Sequence, residues 1–132
     1  MVIRKTMSNI EIYNTASALS ELFSEMTQAE LKLPVKVNFY FQKNMNALVT
    51  MAKELENERT NIIIKYGSPD PDNADRVRID PDKLDVANQE LNDLFNLEQE
   101  VAINAIELDW FDGINMTPQQ VVAITFMIKD EE

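Results

Sequence analysis

The chain has no cysteine and no histidine, and only two glycines among its 132 residues. Without cysteine there is no disulfide framework and no thiolate metal site. Without histidine the commonest general base, the commonest metal ligand and the side chain that titrates near neutral pH are all missing. A serine nucleophile would need a lysine or a carboxylate as its base, and no motif for that arrangement is present. The chain is therefore expected not to be an enzyme, with no cofactor and no metal. Gly67 and Gly113 cannot supply a glycine-rich phosphate loop or a series of tight primed turns. Apolar runs are short as well, and nothing approaches the ~18 consecutive apolar residues of a membrane helix. The start MVIRKTMSNIEIYN is basic but has no apolar stretch behind it, so it does not read as a signal peptide. A redox-indifferent cytoplasmic protein with no membrane partner is expected.

What is present is charge, and it is unevenly placed. The net charge is −11. Residues 1–66 carry seven acidic and eight basic side chains, whereas residues 67–132 carry sixteen acidic and four basic ones. Phosphate contacts require basic groups, so direct nucleic-acid binding through the second half is opposed. An acidic surface of this kind serves solubility, or it offers itself to a basic partner surface.

The length corresponds to one domain. Ser8 and Glu11 have the spacing of a capping box, and Ile12, Ala16, Leu19, Phe23 and Met26 step by four and three, which predicts a helix over 9–31. The stretch LPVKVNFYFQKN at 33–44 is ambiguous. Val35, Val37, Phe39 and Phe41 alternate like a strand, yet Val37 lies one turn before Phe41. From Phe41 the series Met45, Leu48, Ala52, Leu55, Arg59, Ile62 and Tyr66 keeps helical spacing. Pro34 suits a helix start, Gly67 and Pro69 suit its end, and one helix over 34–66 is expected. Thirty-three helical residues span roughly 50 Å, more than the diameter of about 36 Å of a compact chain this long. The molecule should be elongated, or another chain should cover the projecting part.

SPDPDNAD at 68–75 reads as a loop and VRI at 77–79 as a short strand. Asp80 and Pro81 read as an N-cap and first position, with Leu84, Ala87, Leu91 and Leu94 carrying a third helix to about 97. Residues 100–108, EVAINAIEL, are the best strand, expected to pair with 77–79. Thr117 and Gln120 open a last helix reaching about 128. The fold class is α+β, mostly α: a long antiparallel helical hairpin, a third helix, a small two-stranded β element and a short C-terminal helix. The near-neutral hairpin is 1–66 and the acidic part 67–132.

Two acidic clusters are candidate partner contacts. Asp70, Asp72 and Asp75 open like a calcium loop, but counting from Asp70 position five is Ala74, position six Asp75 and position twelve Pro81. The sharp glycine and the bidentate carboxylate are missing, which leaves at most weak divalent-cation binding. Glu107, Asp109 and Asp112 surround Trp110 and Phe111. Aromatic residues flanked by charge serve as interface anchors or as a staple closing the core. The four-three stripe on the long helix reads as the inner face of a hairpin, or as a seam between copies, which would make a homo-oligomer.

Taken in order, LPVKVNFYFQKN with a long helix behind it, ENERTNIIIKYG, LNDLFNLEQEVAI and INMTPQQVVAITFMI resemble a group of small uncharacterised proteins encoded by tailed phages and prophages of low-GC Gram-positive bacteria. The likeness runs over most of residues 33–128 and rests on helix-and-cap pattern. That group has no established activity, so the resemblance implies a setting, the host cytoplasm or the virion, and no catalytic residues. It implies a contact protein with a protein partner. The charge split adds the expectation of an inhibitor of a host nucleic-acid-binding or defence enzyme, acting by charge mimicry. The alternatives are a virion or assembly component packing through its long helix, and a weak divalent-cation-binding protein or enzyme.

Overall fold

The computed structural model of the chain describes residues 1–129, apart from the side chain of Ala74. In chain order the elements are β1 (Val2–Ser8), α1 (Asn9–Gln28), α2 (Val35–Tyr66), β2 (Gly67–Asp70), β3 (Asn73–Ile79), α3 (Leu84–Asn96), β4 (Glu98–Asn104) and α4 (Pro118–Ile124). Single 3-10 turns at Pro81–Lys83, Leu108–Phe111 and Thr125–Met127 complete them. The class is α+β and mostly α.

Both capping boxes form. Ser8 Oγ accepts from the Glu11 N–H at 3.2 Å while Glu11 Oε1 accepts from the Ser8 N–H at 3.3 Å. Thr117 Oγ1 and Gln120 make the same reciprocal pair at the start of α4. The ambiguous stretch is helical. In a strand Val35, Val37, Phe39 and Phe41 would share one face; instead Val37 and Phe41 are buried while Val35 and Phe39 are 87% and 61% exposed. Pro34 takes the N-cap position, one residue before the expected first turn. Gly67 ends α2, but with extended backbone rather than a left-handed cap. Its requirement is space: a Cβ there would lie 2.5 Å from the Ile63 carbonyl oxygen and 2.6 Å from that of Arg78.

Several expectations are corrected. Helix α1 stops at Gln28 rather than 31, because the chain turns at Glu30, whose φ is +53. Residues 77–79 do not pair with the strand after α3. They pair with 67–69, making residues 67–79 a β-hairpin where a loop was expected at 68–75. The later strand is 98–104 and pairs antiparallel with β1, from Val2 opposite Asn104 to Ser8 opposite Glu98. There are thus two separate two-stranded sheets. Asp80 does not cap α3 with its side chain; it accepts from the Ser68 hydroxyl at 2.9 Å and lies 3.7 Å from Lys83 Nζ.

The core is built where α1, the first two thirds of α2, β1–β4 and the C-terminal segment meet. Ile12, Leu19, Val37, Phe41, Leu48, Ile103, Ile106 and Met127 are its most enclosed members. A parallel bridge between Ile106 and Ile128 ties the end of the described chain onto it. Asn44 is fully buried there. It donates to the Asn104 carbonyl at 2.9 Å and accepts from the Asn104 N–H at 2.8 Å, so it satisfies the backbone where β4 ends. Asn9 does the same work at the other junction, donating to the Leu94 carbonyl at 2.7 Å.

At 1.5 Å per residue α2 is about 48 Å long and α1 about 30 Å, so α2 overhangs its partner by roughly 18 Å. Elements of the same chain, α3 and the β2–β3 hairpin, lie on the overhang: Tyr66 donates to Glu90 at 2.6 Å, and the Asp80 N–H bonds the Tyr66 carbonyl at 2.9 Å. The resulting body is extended. Its accessible surface is 8967 Å², against about 7,100 Å² for a compact chain of this length.

Candidate functional site

The two candidate clusters do not form one site. Trp110 sits beside Lys36 and Tyr40 at the start of α2, whereas Asp70, Asp72 and Asp75 belong to the hairpin that follows its last residue, Tyr66. Thirty residues of one helix, about 45 Å, separate those points.

At the first, or proximal, end the Trp110 ring stacks on Tyr40, with centroids 6.0 Å apart at 21°. Lys36 Nζ lies 3.9 Å from the indole centroid. Trp110 and Phe111 are half-buried and pack on the core cluster. They hold the 3-10 turn against α2, which is the staple role. Glu107 is 3.9 Å from Lys129 Nζ. Asp109 and Asp112 are exposed, and Gly113 turns the chain with φ +81. Val35 and Leu108 are exposed here, as is Phe39, whose ring meets Tyr40 edge-on at 5.5 Å. Lys36 and Lys43 flank it on the outward side of α2.

At the distal end, turn chemistry explains most of the first cluster. Asp70 Oδ1 accepts from the Asp72 N–H at 2.9 Å, and Asn73 Oδ1 accepts from the Asp75 N–H at 3.1 Å. These are the local bonds that make Asx residues turn formers, and Pro71 sits at the second turn position, where its fixed φ fits. Asp82 in the 3-10 turn before α3, and Asp85 and Asp93 on the exposed side of α3, add further carboxylates. Among the described residues none of Asp70, Asp72, Asp75, Asp82, Asp85 and Asp93 is in an ion pair, whereas Glu90 and Glu100 are held by Lys65 at 3.1 Å and Arg4 at 2.8 Å. The Tyr66 hydroxyl and Lys65 lower the Glu90 carboxyl below its ordinary range. The hydrogen bond to Glu90 in turn raises Lys65. Among the described residues no three acidic side chains converge as a cation site, and no helix is long and apolar enough to cross a membrane.

Sequence reasoning passed over two sets of residues and misplaced a third. Asn9 and Asn44 are buried polar junctions whose only signal was polarity inside an apolar stripe. Phe39 with Lys36 and Lys43 was read as part of a strand-or-helix question and not as a surface. Arg59, placed on the inner stripe, is instead exposed and pairs with Glu56 at 3.0 Å. No family model matches this chain, and neither does any curated protein or solved structure.

Proposed function

We propose that the chain is a non-enzymatic contact protein of phage or prophage type, whose acidic distal end docks on a basic surface of a protein partner. The observation that carries this reading is the run of carboxylates beyond the end of α2, Asp70, Asp72, Asp75, Asp82 and Asp85, which are in no ion pair among the described residues and outnumber the exposed Arg76 and Arg78 beside them. The nucleic-acid cleft of a host defence enzyme is the kind of surface that fits, because it already binds closely spaced negative charge. Complementary charge speeds such docking and makes it sensitive to salt. The experiment is a titration of the purified chain into basic nucleic-acid enzymes of the host at low and high ionic strength. Binding should weaken at least about tenfold between roughly 0.05 and 0.3 M salt, and Asp82→Asn/Asp85→Asn/Asp93→Asn should lower the association rate. Absence of binding at low salt to every enzyme tested ends the mimicry reading.

The assembly reading keeps support from one feature, the surface in excess of a compact chain's. The middle of α2 does not favour contact along its length. Its outward residues there are Asn46, Thr50, Lys53 and Asn57, without the apolar seam that a coiled coil needs.

A further inference from the structure

Where α1 turns into α2 the chain leaves a cleft of about 420 Å³, within the size range of small-molecule sites. Its walls are apolar: Phe23 and Met26 come from the last turns of α1, and Leu31 and Leu33 from the connecting segment. Backbone bonds hold that segment in place. The left-handed Glu30 reverses the chain, and the Leu31 N–H then reaches the Met26 carbonyl at 3.0 Å, so the wall is built before anything enters. On the α2 side Gln42 donates to Asn38 Oδ1 at 3.0 Å, which leaves the Asn38 amide nitrogen free to donate to another group.

Charge separates this cleft from others on the described surface. The cleft between α1 and α4 carries Glu21 and Glu25. The one between the middles of α1 and α2 is lined by Lys53 and Glu56 together, and the one at the distal hairpin by Arg78 and Asp80. At the turn the lining holds Lys32 and no carboxylate, in a chain of net charge −11. Lys32 is exposed and in no ion pair among the described residues. Glu30, the nearest acidic residue in the sequence, is not part of the lining. The first turn of α2, which begins two residues after Leu33, has no capping side chain and no acidic residue, so the positive end of that helix adds to the same sign. We propose that this cleft binds a small molecule with an apolar body and one anionic head, the body against Phe23, Leu31 and Leu33 and the head at Lys32 and Asn38. Apolar walls alone would accept any apolar ligand, and an exposed lysine alone would hold an ion only weakly. The two together select the amphipathic anion. This inference is independent of the docking of the acidic end on a basic partner.

The test is a titration of the full chain with octanoate, followed by amide chemical shifts and by calorimetry. Octanoate should saturate one site with a dissociation constant of about 1 mM or tighter. The largest shifts should fall on residues 23–27, 31–33 and 38–42, and the thermal midpoint should rise with ligand concentration. Octylammonium is the counter-probe, since it has the same body and the opposite charge. The net charge of the whole chain would favour octylammonium, whereas this cleft should bind it at least about fivefold more weakly than octanoate. Lys32→Glu should cancel or reverse that preference. Thr27→Trp sets a large ring at an exposed position of the lining and should abolish saturable binding. Lys53→Glu, which changes net charge equally in the middle of α2, should change octanoate binding little. Lys32, Thr27 and Lys53 are exposed, so circular dichroism and the unliganded thermal midpoint should stay as in the parent. Absence of saturable octanoate binding overturns the proposal, as do shifts centred on another cleft or scattered over the chain. Octylammonium binding as tightly as octanoate, a Lys32→Glu chain with unchanged preference, or a Thr27→Trp chain that binds like the parent overturns it equally.

Discussion

Helix α2 passes through two environments, and the contrast between them accounts for much of this molecule. From Val35 to Leu55 it lies against α1, the β1–β4 pair and the C-terminal segment, and buries Val37, Phe41, Asn44, Leu48 and Leu55. From Glu56 to Tyr66 the four-three stripe continues through Ile62 and Tyr66, yet no residue there is buried. The second stretch has lost α1, which starts at Asn9, and gained the β2–β3 hairpin and α3, where Ala87 alone is buried. A periodic stripe therefore marks which side of a helix can be covered. How much is covered depends on what lies opposite. The thickly packed stretch holds the core, and the acidic hairpin follows the thinly packed one.

The largest test of that contrast is Phe41→Ala, which should cost about 3–5 kcal/mol in urea unfolding because it empties the enclosed ring site that stacks on Phe23. Ile62→Ala, at a half-buried position of the same stripe, should cost about 1 kcal/mol. Equal costs would mean that the distal stretch is packed like the proximal one. Next comes Gly67→Ala. The added methyl meets backbone on two sides, so a loss of roughly 1–3 kcal/mol is expected. Amide exchange should accelerate in β2, β3 and the last turns of α2 and stay unchanged in α1 and β4. Acceleration spread evenly over the chain would show that the two regions unfold as one.

Smaller effects follow. Glu30→Gly relieves the left-handed backbone at the hairpin turn and should raise stability by about 0.5–1 kcal/mol, in the proximal region only. The smallest concerns the Tyr66–Lys65–Glu90 cluster that ties α3 to the overhang. Glu90 titrates below its ordinary value when folded, chiefly because Tyr66 donates to it. Its contribution is therefore present above the ordinary carboxylate range and is lost as the pH falls through the folded-state value. Lys65 is the mirror case, raised by Glu90, contributing below the ordinary lysine value and fading as the pH rises through the folded one. Glu90→Gln should flatten the acid limb of the stability curve slightly and speed exchange in α3. An unchanged acid limb would remove the cluster from the account of how the distal region is held.

Several features were legible before any fold was known because their causes are local. Capping boxes join residues three apart, so Ser8 with Glu11 and Thr117 with Gln120 announce themselves. The period of Phe41, Leu48 and Leu55 is a property of one helix, and it outvoted the alternation of Val35, Val37, Phe39 and Phe41 because only one residue in four of a helix needs to face the core. The segregation of acidic side chains past residue 66 was countable. What escaped was long-range. Strand β1 places Ile3, Lys5 and Met7 on its inward side, a pattern too mixed to read as a strand, and its partner β4 lies across the whole helical hairpin. The turn at Asp70 and Pro71 carried its own chemistry, but the flanking strands have no apolar alternation to declare them.

The sequence by itself determined the helices, their starts and the uneven charge, since each depends on neighbours within a turn or on simple counts. Only the tertiary structure decided that Trp110 would lie on Tyr40, that Asn44 would satisfy Asn104, and that the two acidic clusters would stand at opposite ends of α2. Those outcomes depend on which distant surfaces meet, and that is settled by packing summed over the whole chain and not by any local pattern.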